Sequence, residues 1–431
     1  MNEKLEIDDI KLSAEQENLF EKIENSTEHF FITGKAGTGK SVLLRYFKSK
    51  SNKKLIVGAF TGVAALNIGA QTLNSLFKLP FGLIDKSKLN LAEGTKTLLR
   101  HIDTVVIDEI SMVRADMLDA IDFLLRQARG NDIAFGGAQM VFFGDLYQLQ
   151  PIVSDRALQE YFAHNLGGFY FFNADVWKNS KLNTFELMEV FRQQDQSFRN
   201  LLDMVRKGKV DDATLSVLNQ RAVNQIPEKG IITLTSTNGI ADNENYRQLN
   251  QINEKKHEYS AKISGNFESS SFPADGILCL KKGAQVMCLN NDPEKRWVNG
   301  TIGIIDSLSA DLIRINIDGI IYSVSEHKWT KERYHYNRDT RKVEQETVAS
   351  FTQFPLRLAW AITIHKSQGK TYNSAVVDLG TGAFTHGQTY VALSRCSSFE
   401  GLFLKQSLTQ KDIIVDAAVV DFMSKVEVKT I

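Results

Sequence analysis

The segment FITGKAGTGKSVLLRYF sets Gly34, Gly39, Lys40 and Ser41 in the spacing G-x-x-x-x-G-K-S, after an apolar β-type run and before a helical stripe. A loop of this kind wraps phosphates with backbone N–H groups, here those around Gly37, Thr38 and Gly39, and adds the positive end of a helix. Lys40 then reaches the β- and γ-phosphates and Ser41 ligates Mg²⁺. Phosphoryl transfer also needs a carboxylate on the metal side and a group that positions water. TVVIDEISM supplies both, Asp108 for Mg²⁺ and Glu109 for the attacking water. A further run, MVFFGDLYQLQPI, ends in Gly144-Asp145 and carries Gln148, an amide able to sense a γ-phosphate. Upstream, Gln16 stands three residues after Ser13 and has two readings, a capping box at a helix start or bidentate recognition of adenine.

These groups need a scaffold that brings strand ends together. Over roughly the first 180 residues, short β-branched or aromatic runs (His29–Thr33, Leu55–Phe60, Thr104–Ile107, Gln139–Phe143) alternate with helical stretches such as Lys40–Phe47 and Ala115–Arg129. The alternation predicts an α/β doubly wound parallel sheet, whose strand ends form the ligand edge. A second series begins near Lys181, with strands Ile231–Thr235 and Ser374–Val377 and helices Phe198–Lys207 and Thr389–Leu393. Closely spaced β runs interrupt it between about 260 and 350: Ala284–Leu289, Thr301–Ile305, Leu312–Ile317 and Ile320–Val324. Asp318-Gly319 between the last two is a hairpin signal.

Composition narrows the class. The 431 residues are 43% apolar, so the chain is long and apolar enough for two to four domains with cores. Net charge is zero, but residues 1–30 hold three basic and nine acidic side chains, which leaves 48 basic against 42 acidic from residue 31 onward. The neutral total is a cancellation and does not exclude a polyanionic partner. Cys279, Cys288 and Cys396 form no C-x-x-C pair, so neither a disulfide scaffold nor a zinc cluster is expected. The acidic start MNEKLEIDD is unlike a secretory or transit peptide, and no apolar run reaches ~18 residues. The expectation is a cytoplasmic protein, nucleoid-associated if bacterial, with no membrane partner.

Seven segments in order, GKAGTGKS, FTGVAALNIGAQTLNSLF, VVIDEISM, FGGAQMVFFGDLYQLQP, LMEVFRQQDQSF, LRLAWAITIHKSQGKT and GQTYVALSRCSSFEGL, resemble a superfamily-one DNA helicase of the petite-integration-frequency (PIF) type, close to the RecD-like helicases. The resemblance spans about residues 12–405, and its last two segments are absent from generic P-loop ATPases. It implies two RecA-like P-loop domains with ATP and Mg²⁺ in the cleft between them, and single-stranded DNA across their tops. The expected boundaries are 1–180 for the first domain, with a wedge-like insertion at about 78–90, and 181–290 with 350–431 for the second. The expected Src-homology-like β-barrel insertion is 291–349. The resemblance also implies 5′→3′ translocation, duplex unwinding, and G-quadruplexes and RNA–DNA hybrids among the substrates.

By motif match, Gln16 reads adenine, Gly369 joins the ATP site, and Arg192 and Arg395 are arginine fingers from the second domain. Together with Lys40, Glu109 and Gln148 these form the implied catalytic set. The implied DNA contacts are Thr61, Asn74 and Phe77 in the first domain and Asn238, Thr363, His365, Lys366 and Ser367 in the second, with Asn245 beside Asn238 in the same motif. Many relatives have His in place of Asn74 and Pro in place of Gln150; the first change alters a contact and the second loosens the loop after Gln148. Pro80, Phe81 and Gly82 make either a stiff wedge tip or a plain surface loop. The basic, aromatic stretch HKWTKERYHYNRDTRK (327–342) reads either as a nucleic-acid face or as a solvated edge. The implied partners are single-stranded DNA and DNA junctions, met by a monomer that can pair on DNA. An alternative from another class is a P-loop switch or protein remodeller, which leaves ITIHKSQG unexplained.

Overall fold

The structure, a computed structural model, describes residues 10–80, 82–153, 155–223, 231–267, 269, 272–337 and 339–429. Strands His29–Gly34, Leu55–Ala59, Thr104–Asp108 and Gln139–Phe143 form within one residue of their expected ends. Helices cover both faces of their sheet, which is why they read as near-continuous apolar runs and not as alternating ones. The sheet has seven parallel strands in the order Val428–Lys429, Leu182–Leu187, His29–Gly34, Gln139–Phe143, Thr104–Asp108, Leu55–Ala59, Gln71–Thr72. The P-loop, Asp108-Glu109 and Gly144–Gln148 all follow the carboxyl ends of neighbouring strands, so one edge collects the phosphate chemistry.

Two memberships correct the expected boundaries. Leu182–Leu187 pairs residue for residue with His29–Gly34, so the first domain runs to Leu187 and not to 180. The chain also returns: Val428–Lys429 adds an edge strand, and in helix Ala417–Lys425 Val419 is fully buried while Phe422 stacks on Phe172 at 4.3 Å. LNTFEL has strand composition in either domain, and only the register shows which sheet it completes. At the return point Asp416 caps this helix through Ala418 N (2.8 Å), and its other oxygen accepts from Tyr170 Oη (2.8 Å). Asp416 N donates to His386 Nδ1 (2.9 Å), which fixes the tautomer that donates from Nε2 to Leu146 O (2.7 Å).

The second domain carries a four-stranded parallel sheet in the order Ala361–Thr363, Ile232–Thr235, Ala375–Asp378, Leu402–Leu404. Its β insertion is larger than 291–349. Strands from His257–Ser260 to Leu356–Leu358 form antiparallel sheets of five, three and two strands around a core that includes Trp297, Ile313 and Phe354. The Asp318-Gly319 turn has positive φ at both positions (52° and 88°), as the hairpin signal requires.

The long hairpin His327–Asn337/Lys342–Gln353 does not present its aromatic residues to solvent. Tyr334 is buried in the first domain's core, and its Oη accepts from Val57 N at 3.4 Å. Tyr336 stacks on His101 with ring centroids 3.8 Å apart. These two rings dock the insertion onto the first domain, so the nucleic-acid face read from 327–342 loses them. In the wedge-like segment, Leu79, Ile84 and Leu91 are buried in the first core and Arg114 holds Gly82 O; Phe81 lies outside the described residues.

The domains meet across a buried ion pair. Arg206, at the end of helix Gln196–Arg206, donates to Asp145 (2.9 Å), packs its guanidinium 4.4 Å from the Tyr147 ring and lies 3.6 Å from Glu186. Both partners are almost inaccessible, at 3% and 0%. Removing one side leaves an uncompensated buried charge, so Arg206→Met is expected to lower stability by about 3–5 kcal/mol, read from urea unfolding. A loss below about 1 kcal/mol would contradict the burial.

Candidate functional site

A cavity of about 450 Å³ lies on the P-loop and is lined from both domains. The helix Lys40–Lys50 begins directly after Gly39, so its free N–H groups point into this space. Lys40 folds back over the loop, donating to Gly34 O (2.6 Å) and Lys35 O (3.0 Å), and burial pushes its ammonium below the ordinary lysine value. Gly37 must lack a side chain: a Cβ there would fall 2.5 Å from Cβ of Arg192. The capping-box reading of Gln16 is realised, and its amide also lines the nucleotide cavity. Its Oε1 accepts from Ser13 N (3.1 Å) in a capping box, while its Nε2 faces the carbonyls of Thr38 and Gly39 at 3.4 Å inside the cavity.

Asp108 and Glu109 are buried at the strand end. Desolvation pushes Asp108 up to about 6, and desolvation with the adjacent Asp108 charge pushes Glu109 up to about 7. Lys40 is the cation that offsets both. Burial thus disfavours the charged form of both carboxyls, and a divalent cation beside them would restore it. Asp108 with Ser41 suits Mg²⁺, which takes most of its ligands from phosphates and water and needs few from protein. No group of three or more His, Cys, Asp or Glu side chains suited to a metal occurs among the described residues.

Facing the P-loop are two arginines. Arg395 is 1% exposed, and its guanidinium donates to Val391 O (2.9 Å), Ser394 Oγ (3.0 Å), and Ser367 O and Lys370 O (3.4 Å each). Arg192 donates to Ser394 O (3.0 Å), and burial with the neighbouring Arg395 charge lowers it to about 9. Among the described residues neither has a carboxylate ion-pair partner within 4.0 Å. One buried and one half-buried cation held by neutral oxygens, opposite a phosphate loop, make a site for a polyanion.

The family model for PIF1-like helicases matches residues 11–216. The ATP-dependent DNA helicase Pif1 of Bdellovibrio bacteriovorus is 33% identical, with 98% of this chain and 93% of the relative covered. The chain belongs to the PIF1-like helicase family. The structure of Pif1 from Bacteroides sp in complex with ADP-AlF4 is similar with a TM-score of 0.89 at 37% identity, covering 96% of this chain and 97% of that one. Bacteroides Pif1 bound to ssDNA, at the same identity and coverage, gives a TM-score of 0.71. In this PIF1-like chain no helix of the described residues is long and apolar enough to cross a membrane.

The residues expected to touch DNA fall into two groups. Lys366 and Asn238 are exposed, and His365, Thr61 and Asn74 are half-buried. Phe77 is fully buried in the first domain's core and offers no face for a base, which corrects its expectation as a DNA contact. Thr363 and Ser367 are buried too, and their hydroxyls serve the local turn: Thr363 Oγ1 accepts from Lys366 N and Ser367 Oγ donates to Ile364 O. Asn245 exchanges two bonds with the Ala361 backbone (2.8 and 2.9 Å), which ties its helix to the sheet edge. These three shape the PIF1-like DNA motifs instead of projecting from them.

Sequence reasoning missed several members of the site. Phe191, 51% exposed, flanks the nucleotide cavity, and its N–H donates to Gly37 O (2.9 Å). Tyr390 Oη accepts from Ala36 N (2.9 Å), joining the second domain to the P-loop. Gln368 reaches both Glu109 and Gln148. Phe191 lay beside Arg192, and Gln368 between Ser367 and Gly369, all already singled out; that adjacency was the available signal.

Proposed function

We propose that this chain is an ATP- and Mg²⁺-dependent DNA helicase that translocates 5′→3′ on single-stranded DNA and unwinds duplex, G-quadruplex and RNA–DNA hybrid. The observation that carries the reading is a pair of arginines, buried Arg395 and half-buried Arg192, with no carboxylate partner among the described residues, set against the P-loop from the domain that also bears ITIHKSQG. Within it, Lys40, Glu109, Gln148, Arg192 and Arg395 act on the γ-phosphate; Gln16 and the cavity's P-loop residues hold the nucleotide; Ser41 and Asp108 hold the metal. ADP-AlF4 and ssDNA are partners of the Bacteroides relatives by name, which supports nucleotide and single-strand binding here. A forked DNA engaged by two coordinating Pif1 helicases supports a monomer that can pair at a junction.

A second cleft supports the DNA assignment. It has about 560 Å³ between the first domain (Phe60, Asn74, Lys78) and the insertion (Asn266, Phe267, Lys331). Desolvation and the facing Arg333 and Lys331 charges lower the Lys78 ammonium. Like charges opposed across a cleft from two separate units repel until an anion lies between them, and a phosphodiester with bases against Phe60 and Phe267 meets that need. Thr61, Asn74, Asn238, His365 and Lys366 extend the path.

Steady-state ATP turnover with and without oligo(dT) tests the reading. A rise of tenfold or more with DNA is expected, and turnover indifferent to DNA would leave only a P-loop switch. Unwinding of 5′-tailed but not 3′-tailed duplex is the result that fits the proposed polarity.

A further inference from the structure

We propose that Gln368 holds Glu109 idle while no DNA is bound, and releases it when DNA engages the loop that carries both Gln368 and the strand contacts. The inference rests on the helicase reading and adds the device that ties hydrolysis to the presence of a strand.

Gln368 Nε2 stands 3.2 Å from Glu109 Oε2 and 3.5 Å from Gln148 Oε1. Glu109 is the group placed to orient the attacking water, and Gln148 the group placed to sense the γ-phosphate. A general base needs a free lone pair aimed at its water. Here one carboxylate oxygen and the sensing amide oxygen both accept from one donor, so a side chain bridges the gap where a water is required. The bridge comes from the second domain, and it stands within the same turn as His365 and Lys366.

That turn is braced from within. Thr363 Oγ1 accepts from Lys366 N (3.3 Å), Ser367 Oγ donates to Ile364 O (2.7 Å), and Lys370 N donates to Ser367 O (3.0 Å). Arg395 is tied to the same turn through the carbonyls of Ser367 and Lys370, by bonds of 3.4 Å that are long for a guanidinium. A phosphate drawn to Lys366 and His365 would shift the turn, taking the Gln368 amide from Glu109 and loosening the finger in one movement. Gln368 is then a positioning residue, acting through Glu109 and without chemistry of its own.

The test compares full-length wild type with Gln368→Ala and Gln368→Met, the second keeping side-chain length without a donor in case the first fails to fold. ATP turnover is measured with and without saturating oligo(dT), and oligo(dT) affinity by fluorescence anisotropy. The expected result is a DNA-free kcat raised about tenfold, the scale of one hydrogen bond to a charged group. KM for ATP, the DNA-saturated kcat and oligo(dT) affinity should each stay within about twofold, so the stimulation ratio collapses. A folded variant whose DNA-free turnover is unchanged or lower overturns the proposal. So does a DNA-saturated rate that falls with it, since that would make the amide part of the chemistry. If wild-type turnover itself ignores DNA, the helicase reading fails; if wild type responds and the variants keep its ratio, only the role of Gln368 fails.

Discussion

Arg395→Ala is expected to cut ATP turnover by about 10³–10⁵-fold, the range an arginine finger contributes in other NTPases. The guanidinium is buried and every bond it makes goes to a neutral oxygen. Arg192 beside it adds repulsion, so the pair has a charge to give to a transferring phosphoryl group at no cost in broken ion pairs. Lysine should not rescue, because one ammonium cannot reproduce a planar fork that bonds Val391, Ser394, Ser367 and Lys370 together. Single-turnover hydrolysis, with nucleotide affinity measured in parallel, separates the chemical step from binding. A variant that keeps turnover within tenfold of wild type would remove Arg395 from the mechanism.

Lys40→Ala is expected to lower turnover by at least about 10²–10³-fold while single-strand affinity stays within about twofold. The ammonium, spent on the Gly34 and Lys35 carbonyls, must exchange them for phosphate oxygens when nucleotide enters. Without it the loop keeps its N–H groups but loses the cation that reaches the phosphates, since its other lysine, Lys35, is held by Asp203 at 3.0 Å. The cleft that bears Lys78 and Lys331 shares no lining residue with the nucleotide cavity, so strand binding should be spared. Loss of DNA affinity alongside turnover would mean the two surfaces are not separate.

Much of this was legible in the sequence because it is contiguous. The P-loop, Asp108-Glu109 and Gly144–Gln148 each sit in one short run, and each run ends a strand whose apolar character marks it as buried. What was not legible depends on register and docking. Leu182–Leu187 reads as a strand wherever it goes, and only its pairing with His29–Gly34 assigns it to the first domain. Tyr334 and Tyr336 read as a nucleic-acid face because nothing in the residues tells an exposed ring from one docked on His101 and the Val57 strand. Phe77 was recoverable: Leu73, Leu76 and Phe77 fall at i, i+3 and i+4, the stripe of a core helix, and all three are buried. Thr363 and Ser367 show the opposite difficulty, since a hydroxyl in a motif serves a local turn as readily as a ligand.

The return of the chain to its first sheet has a mechanical consequence. Two covalent crossings join the domains, one after Leu187 and one at Asp416, where Tyr170 and His386 grip the same residue from opposite sides. A body tethered at one point can tumble, but one pinned at two can only swing about the line between the pins. Each ATP would therefore drive an arc of fixed axis and not a loose separation. Contacts away from that line, such as Tyr390 on Ala36 and Arg206 on Asp145, are the ones such a swing would open and close.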